Sequence, residues 1–344
     1  MSSFVRVPDF QSVQREWLAL LPSCAVDTLF LTPQWQAAWH RALGQEWEPL
    51  LLRLDCPTTR GVAALVRRGD TLALPGGTDV CDYHELVVPR GAEGTFYPAL
   101  ARALASEAWH TLVLTSLPEG GPTLEHLPAA VRAQGWTVEV AREDVAPGLA
   151  LPPSWDEYLA GLSKKDRHEL RRKLRRLEGA GPYRAYVAPP GEERLPQDLD
   201  DFFTLMRRSD HHKDEFLTPS RERFFRAMAL EMARWGYLRL FFLEVEGRRV
   251  AAALCFDYRG QRLLYNSGFD PGYSHLSVGL LLKALCIRDA IEQGLAYFDF
   301  LRGDEPYKYD LGGVDRALYQ VTVRRGPASN PPAPSPQGGE RPAR

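Results

Sequence analysis

The 344-residue chain predicts a mixed α/β (α+β) fold built twice in tandem, each copy a mostly antiparallel sheet flanked by helices. Three observations predict it. Residues 50–55 (LLLRLD), 61–66 (GVAALV) and 71–79 (TLALPGGTD) read as strand, turn, small-residue strand, turn and third strand. The same order recurs in residues 240–245 (LFFLEV), 249–255 (RVAAALC) and 262–270 (RLLYNSGFD). The offset, about 190 residues, is too long for a solenoid repeat and fits a duplicated domain.

Helical patterns surround both meanders. Pro33 to Leu43 opens with Thr32 as N-cap and Pro33 at the first helical position. Segments 95–108 and 124–134 follow, the second stopped by Gly135. In the second half, residues 154–177 are helical with an interruption near Gly161. Then come 199–207, 220–235 and 277–293, the last closed by Gly294. The punctuated stretch AREDVAPGLALPP (141–153) separates the halves, giving an expected division into 1–147, 148–326 and a Pro/Ser/Gly-rich disordered tail, 327–344.

Composition bounds the function. Charged residues make up 25% and apolar ones 44%, as in a globular protein, and the net charge of −2 gives no global case for nucleic acid or membrane. Five widely spaced cysteines, with no metal-ligand spacing, read as reduced thiols, and no metal site is expected. The first residues lack a signal-peptide pattern and no apolar run reaches the length of a span, so a cytoplasmic protein is expected.

Three tracts could carry chemistry. The first is YFDFLRGDEPYKYDLGG (297–313), where Asp299, Arg302, Asp304, Glu305, Tyr307 and Lys308 crowd the end of a strand-like run. The second is SKKDRHELRRKLRRLEG (163–179), with eight Lys or Arg in thirteen residues after a Ser163–Asp166 capping box. Leu170, Leu174 and Leu177 form its narrow apolar stripe, flanked by Arg167 and Arg171, which could reach an anion held against the domain. The third is DPGYSHLSVGLLL (270–282), where Ser277, Val278 and Gly279 open an apolar helix whose free N–H groups suit a phosphate. In the first half DVCDYHE (79–85) occupies the corresponding turn, with Asp82 and Tyr83 facing the cleft between halves. The pair His211–His212 sits in a polar link and reads as solvated.

Together the basic helix, the small-residue meander, the Ser-x-Gly turn and the Lys308 tract resemble the tandem GNAT-fold acetyltransferases. The chain looks most like the CelD-like branch, associated with cellulose and exopolysaccharide synthesis and related to the Fem aminoacyltransferases. LFLTPQWQAAW and GGTDVCDYHELVV extend the resemblance into the first half, so that it covers about residues 28–325. It implies acetyl-CoA or another acyl-CoA as co-substrate, bound at Ser277, Val278 and Gly279 with Arg167 and Arg171 nearby. Ser274 and Ser277 stand where the family's loop carries Gln or Arg and a first glycine, so one signature position of three is kept. It further implies an amine acceptor, small molecule or peptide, near Asp82, Tyr83, Asp299 and Arg302. Lys308 would stabilise charge, Asp304 or Glu305 serve as base, and Tyr307 protonate the leaving group.

Two other readings stand beside acyl-CoA-dependent N-acyl transfer. One is a Fem-like transferase drawing on aminoacyl-tRNA, against which low net charge argues. The other is a non-catalytic accessory protein of the same fold. Two GNAT domains in one chain would make a monomer sufficient.

Overall fold

The computed structural model describes residues 2–189, 191 and 193–326, and the expected tail from Pro327 lies outside them. The strands are β1 (Ser3–Val7), β2 (Glu48–Asp55), β3 (Val62–Arg68), β4 (Thr71–Ala73), β5 (Thr111–Pro118), β6 (Thr137–Val145), β7 (Gly148–Ala150), β8 (Tyr183–Val187), β9 (Leu238–Val245), β10 (Arg248–Tyr258), β11 (Gln261–Phe269), β12 (Tyr297–Asp299) and β13 (Ala317–Arg324). The helices are α1 (Phe10–Leu20), α2 (Pro33–Ala42), α3 (Gly77–Val80), α4 (Glu93–Ala105), α5 (Pro122–Arg132), α6 (Trp155–Gly161), α7 (Lys164–Glu178), α8 (Leu195–Ser209), α9 (His211–Phe216), α10 (Pro219–Arg234), α11 (Val278–Glu292) and α12 (Pro306–Asp310).

Two mixed sheets result, ordered β1-β2-β3-β4-β5-β13-β6 and β7-β12-β11-β10-β9-β8. Both expected meanders are present, as β2-β3-β4 and β9-β10-β11. They are unequal, because β4 has three residues and β11 nine. The expected division at residue 147 assigns the last strand to the second part; β13 is instead paired between β5 and β6 of the first sheet.

Local chemistry sets the elements. Thr32 accepts the Trp35 N–H as N-cap of α2, and Ser163 accepts that of Asp166 at the start of α7. In β10 the residues alternate between two cores. Ala251, Ala253 and Cys255 pack toward α11, while Ala252, Leu254 and Phe256 join the core shared with α8 and α10. That second core also holds Phe30 and Trp35 of the first half, and Trp35 packs edge-on to Phe224, Phe256 and Tyr265. One core therefore spans both halves. Helix α8 lies so close to β11 that a Cβ on Gly268 would stand 2.2 Å from Met206 N and 2.4 Å from Leu205 C.

Candidate active site

Strands β11 and β12 run parallel through three pairs, the last Leu263 with Asp299. Beyond that pair β11 continues to Phe269, while the other chain turns away through Phe300–Glu305. The turn is held open from the first half. Phe300 N–H donates to Pro147 O at 3.0 Å and Gly303 N–H to Val145 O at 2.9 Å, and Leu301 takes the left-handed conformation, φ 61°. The β12-side edge of β11 beyond Leu263 is thus left without a strand partner, a gap in the sheet beside the 297–313 tract.

Lys308 stands beneath this turn, 1% exposed. Its ammonium donates to the carbonyls of Leu301 (2.8 Å), Arg302 (2.7 Å) and Gly303 (3.0 Å), and pairs with Glu305 Oε2 at 2.9 Å. An ammonium has three protons, and three carbonyls take them. The expected role of Lys308 in stabilising charge on a transferred group is therefore corrected: with its donors occupied, it holds the turn that shapes the gap. Glu305 remains half exposed, and Asp304 is exposed.

Tyr307 packs against Phe300 and under Lys283, whose ammonium lies 4.5 Å from the ring centroid. Burial pushes the Tyr307 phenol above its ordinary range, so it stays protonated. Lys283 projects from α11 and donates to Gly279 O at 3.2 Å. Burial, then the neighbouring Lys213, pulls it down to about 7. Lys213 of α9 donates to Ser267 O at 2.5 Å on the stretch of β11 that runs past β12, and burial lowers it against the pull of Asp210 and Glu305. Neither lysine was singled out in the sequence, although a lone Lys within LLLKALCI was a visible signal.

At the mouth of the gap α11 begins. Its N-cap, Ser277, is left-handed (φ 58°) and makes no side-chain cap, so the first-turn N–H groups, which have no intrahelical partners, are not taken by its hydroxyl. Gly279 admits the Phe269 ring, which a Cβ would meet at 2.8 Å, and Val278 is buried. Close packing thus accounts for this glycine without a ligand. The basic residue that reaches this end is Arg176, donating to Ser277 Oγ at 2.9 Å. Of the two expected arginines, Arg167 instead caps α6 through Ala160 O at 3.0 Å, and Arg171 is exposed. The apolar stripe behaves as expected, with Leu170 and Leu177 buried.

Asp82, Tyr83, Asp299 and Arg302 do gather between the halves, largely on one another. Tyr83 donates to Asp299 Oδ2 at 2.9 Å, and Arg316 joins both, 2.5 Å from Asp299 Oδ2 and 2.6 Å from Tyr83 Oη. Arg302 points into the first half, its Nε 3.2 Å from Asp144 Oδ2. Asp82 Oδ1 accepts the Arg302 N–H at 3.2 Å. Tyr83, Asp299 and Arg302 therefore join the halves, while Asp82 also lines a cavity beside β11. His211 and His212 are exposed beside Glu215, and no cluster of metal-binding side chains occurs among the described residues. No described helix is long and apolar enough to cross a membrane.

Residues 164–309 match the family model of the acetyltransferase (GNAT) domain. No curated protein matches the chain in sequence. Among solved structures, FemX is similar over 92% of this chain and 96% of its own, with TM-score 0.64 at 13% identity. The C-terminal domain of a putative lysylphosphatidylglycerol synthetase from Agrobacterium fabrum is similar over 92% and 93%, with TM-score 0.58 at 9% identity. A tandem GNAT protein from the clavulanic acid biosynthesis pathway, solved without AcCoA, is similar over 96% and 100%, with TM-score 0.51 at 14% identity. At these identities the likeness shows the fold, a tandem GNAT architecture.

Proposed function

We propose that the chain is an N-acyltransferase moving an acyl group from an acyl-CoA to an amine of a small molecule or peptide. The observation that carries this reading is the gap between β11 and the 297–313 tract, opening beside the uncapped N-terminus of α11 with Arg176 against it. Free N–H groups and a guanidinium suit a pyrophosphate, and a gap lined by backbone suits an extended chain ending in a thioester. The match of residues 164–309 to an acetyltransferase domain supports the same class.

In this reading, Tyr307, protonated by burial, donates to the departing sulfur, and Glu305, whose charge acts on both Lys213 and Lys283, accepts the proton of the attacking ammonium. Lys308 acts by holding the 301–303 turn. A role in polysaccharide or envelope metabolism rests on the family resemblance alone.

A second donor, aminoacyl-tRNA, is favoured by two observations: the almost wholly basic face of α7 and the likeness to FemX. Thermal unfolding of the full chain with acetyl-CoA, CoA or charged tRNA separates the two. A donor at a hundred times its Kd stabilises by about 2.7 kcal/mol. A rise with CoA species alone supports the first reading and a rise with tRNA alone the second. Silence with all three refutes both.

A further inference from the structure

A cavity of about 220 Å³ lies between the halves beside the stretch of β11 that runs past β12, lined by Asp79, Asp82, Lys213, Phe225, Tyr265 and Asn266 among others. Asp79 is neutralised by Arg221, leaving Asp82 as the anionic pole. Asp82 Oδ1 accepts one backbone N–H, and no protein group donates to Oδ2 among the described residues. Burial pushes its carboxyl up to about 7, against the Arg302 N–H and the Lys308 and Arg302 charges, so its protein neighbours undercompensate the anion. At the other pole Lys213 gives one proton to Ser267 O and has two left. Phe225 and Tyr265 give the same cavity aromatic walls, their ring centroids 5.3 Å apart. Tyr265 is anchored through its hydroxyl to Val80 O at 3.0 Å.

We infer that this cavity receives a free α-amino acid with an apolar side chain as the acyl acceptor, its ammonium on Asp82, its carboxylate on Lys213 and its side chain against Phe225 and Tyr265. A cavity of roughly 150 Å³ holds a benzene ring, so about 220 Å³ admits a leucine- or phenylalanine-sized molecule. A lone amine would leave Lys213 unpaired, and a lone carboxylate would leave Asp82 so. A zwitterion matches both. The cavity is lined by Tyr265 and Asn266 of β11, so the inference rests on the acyl-transfer reading for its consequence and on the cavity alone for binding.

The test is calorimetric titration of the full chain at pH 8 with L-leucine, L-phenylalanine, L-phenylalaninamide and 3-phenylpropanoate, with acetyl-CoA titrated separately. One of the two amino acids should bind at least tenfold more tightly than the amide, which lacks the carboxylate, and the propanoate, which lacks the ammonium. Asp82→Asn, which keeps an acceptor for the Arg302 N–H, should weaken the amino acid and the amide tenfold or more and spare the propanoate. Lys213→Met should weaken the amino acid and the propanoate and spare the amide. No binding by either amino acid, affinity equal to that of the single-charge analogues, or unchanged affinity in Asp82→Asn overturns the inference. Failure of acetyl-CoA to bind while the amino acid does overturns the donor assignment and leaves the cavity's ligand standing.

Discussion

Replacing Lys308 by alanine separates a structural role from a chemical one. The side chain is 1% exposed, and its loss removes three hydrogen bonds of 2.7 to 3.0 Å and an ion pair of 2.9 Å. Three carbonyls of the 301–303 turn would lose their charged donor, and a desolvated acceptor left without a partner costs about 1–3 kcal/mol. Water re-enters on the Gly303 side, which is partly exposed, so the separate costs do not add in full. Removing one member of a buried charged network costs about 3–5 kcal/mol, and that is the expected loss. At roughly 2 °C per kcal/mol for a chain of this size, the thermal midpoint should fall by about 6–10 °C. Thermal unfolding of Lys308→Ala and Lys308→Met, with turnover followed by CoA release, provides the assay. Both variants should lose stability and turnover together. A midpoint within 1 °C or so of the parent, combined with a turnover loss of about a hundredfold or more, would refute the reasoning and return Lys308 to the chemistry.

Gly268→Ala drives a Cβ into the α8 backbone at Leu205 and Met206, and should cost at least the roughly 1–3 kcal/mol of an overpacked core, read by urea unfolding. For Lys283, lowered to about 7, the unfolded chain binds more protons than the folded one between pH 7 and its ordinary range above 10. Stability should therefore rise with pH across that window; Lys283→Met should be more stable at pH 7 and show less of this rise in paired melts at pH 7 and 9. Arg176→Ala should weaken acetyl-CoA binding by about five- to tenfold at low salt, with less effect as salt rises, followed by calorimetry at two ionic strengths.

The meanders were legible because strand, turn and small-residue strand are local patterns, and β10 carries the alternation of its two cores in its own residues. The destination of β13 was not. Its period-two pattern says that it pairs, but the choice between two similar sheets is settled by contacts far apart in sequence, such as Leu318 with Pro118 and Ala317 with Val145. The 297–313 tract was legible as a special segment for the same local reason. The use of Lys308 was not, because a lysine's partners here are carbonyls whose direction depends on a left-handed residue, Leu301, that no propensity signals. The helical stripe points to Arg167 and Arg171 and not to Arg176, because it gives the face of α7 but not which end meets α11.

The inequality of the two halves explains why the chain keeps both. In the second, β11 outruns its parallel partner and a gap forms; in the first, the counterpart β4 pairs with β5 over all three of its residues, Thr71 to Ala73, and then stops. The chain it releases runs through α3 into Asp82 and Tyr83, which meet Arg302 and Asp299 of the second half. On the other flank Val145 and Pro147 hold Gly303 and Phe300. The first half thus gives up a gap of its own and supplies the contacts that fix the width of its neighbour's. A second half expressed alone would retain β11 and α11, but it would lose the partners of residues 299–303 on both sides, so the gap belongs to the pair of halves and not to the segment that resembles an acetyltransferase domain.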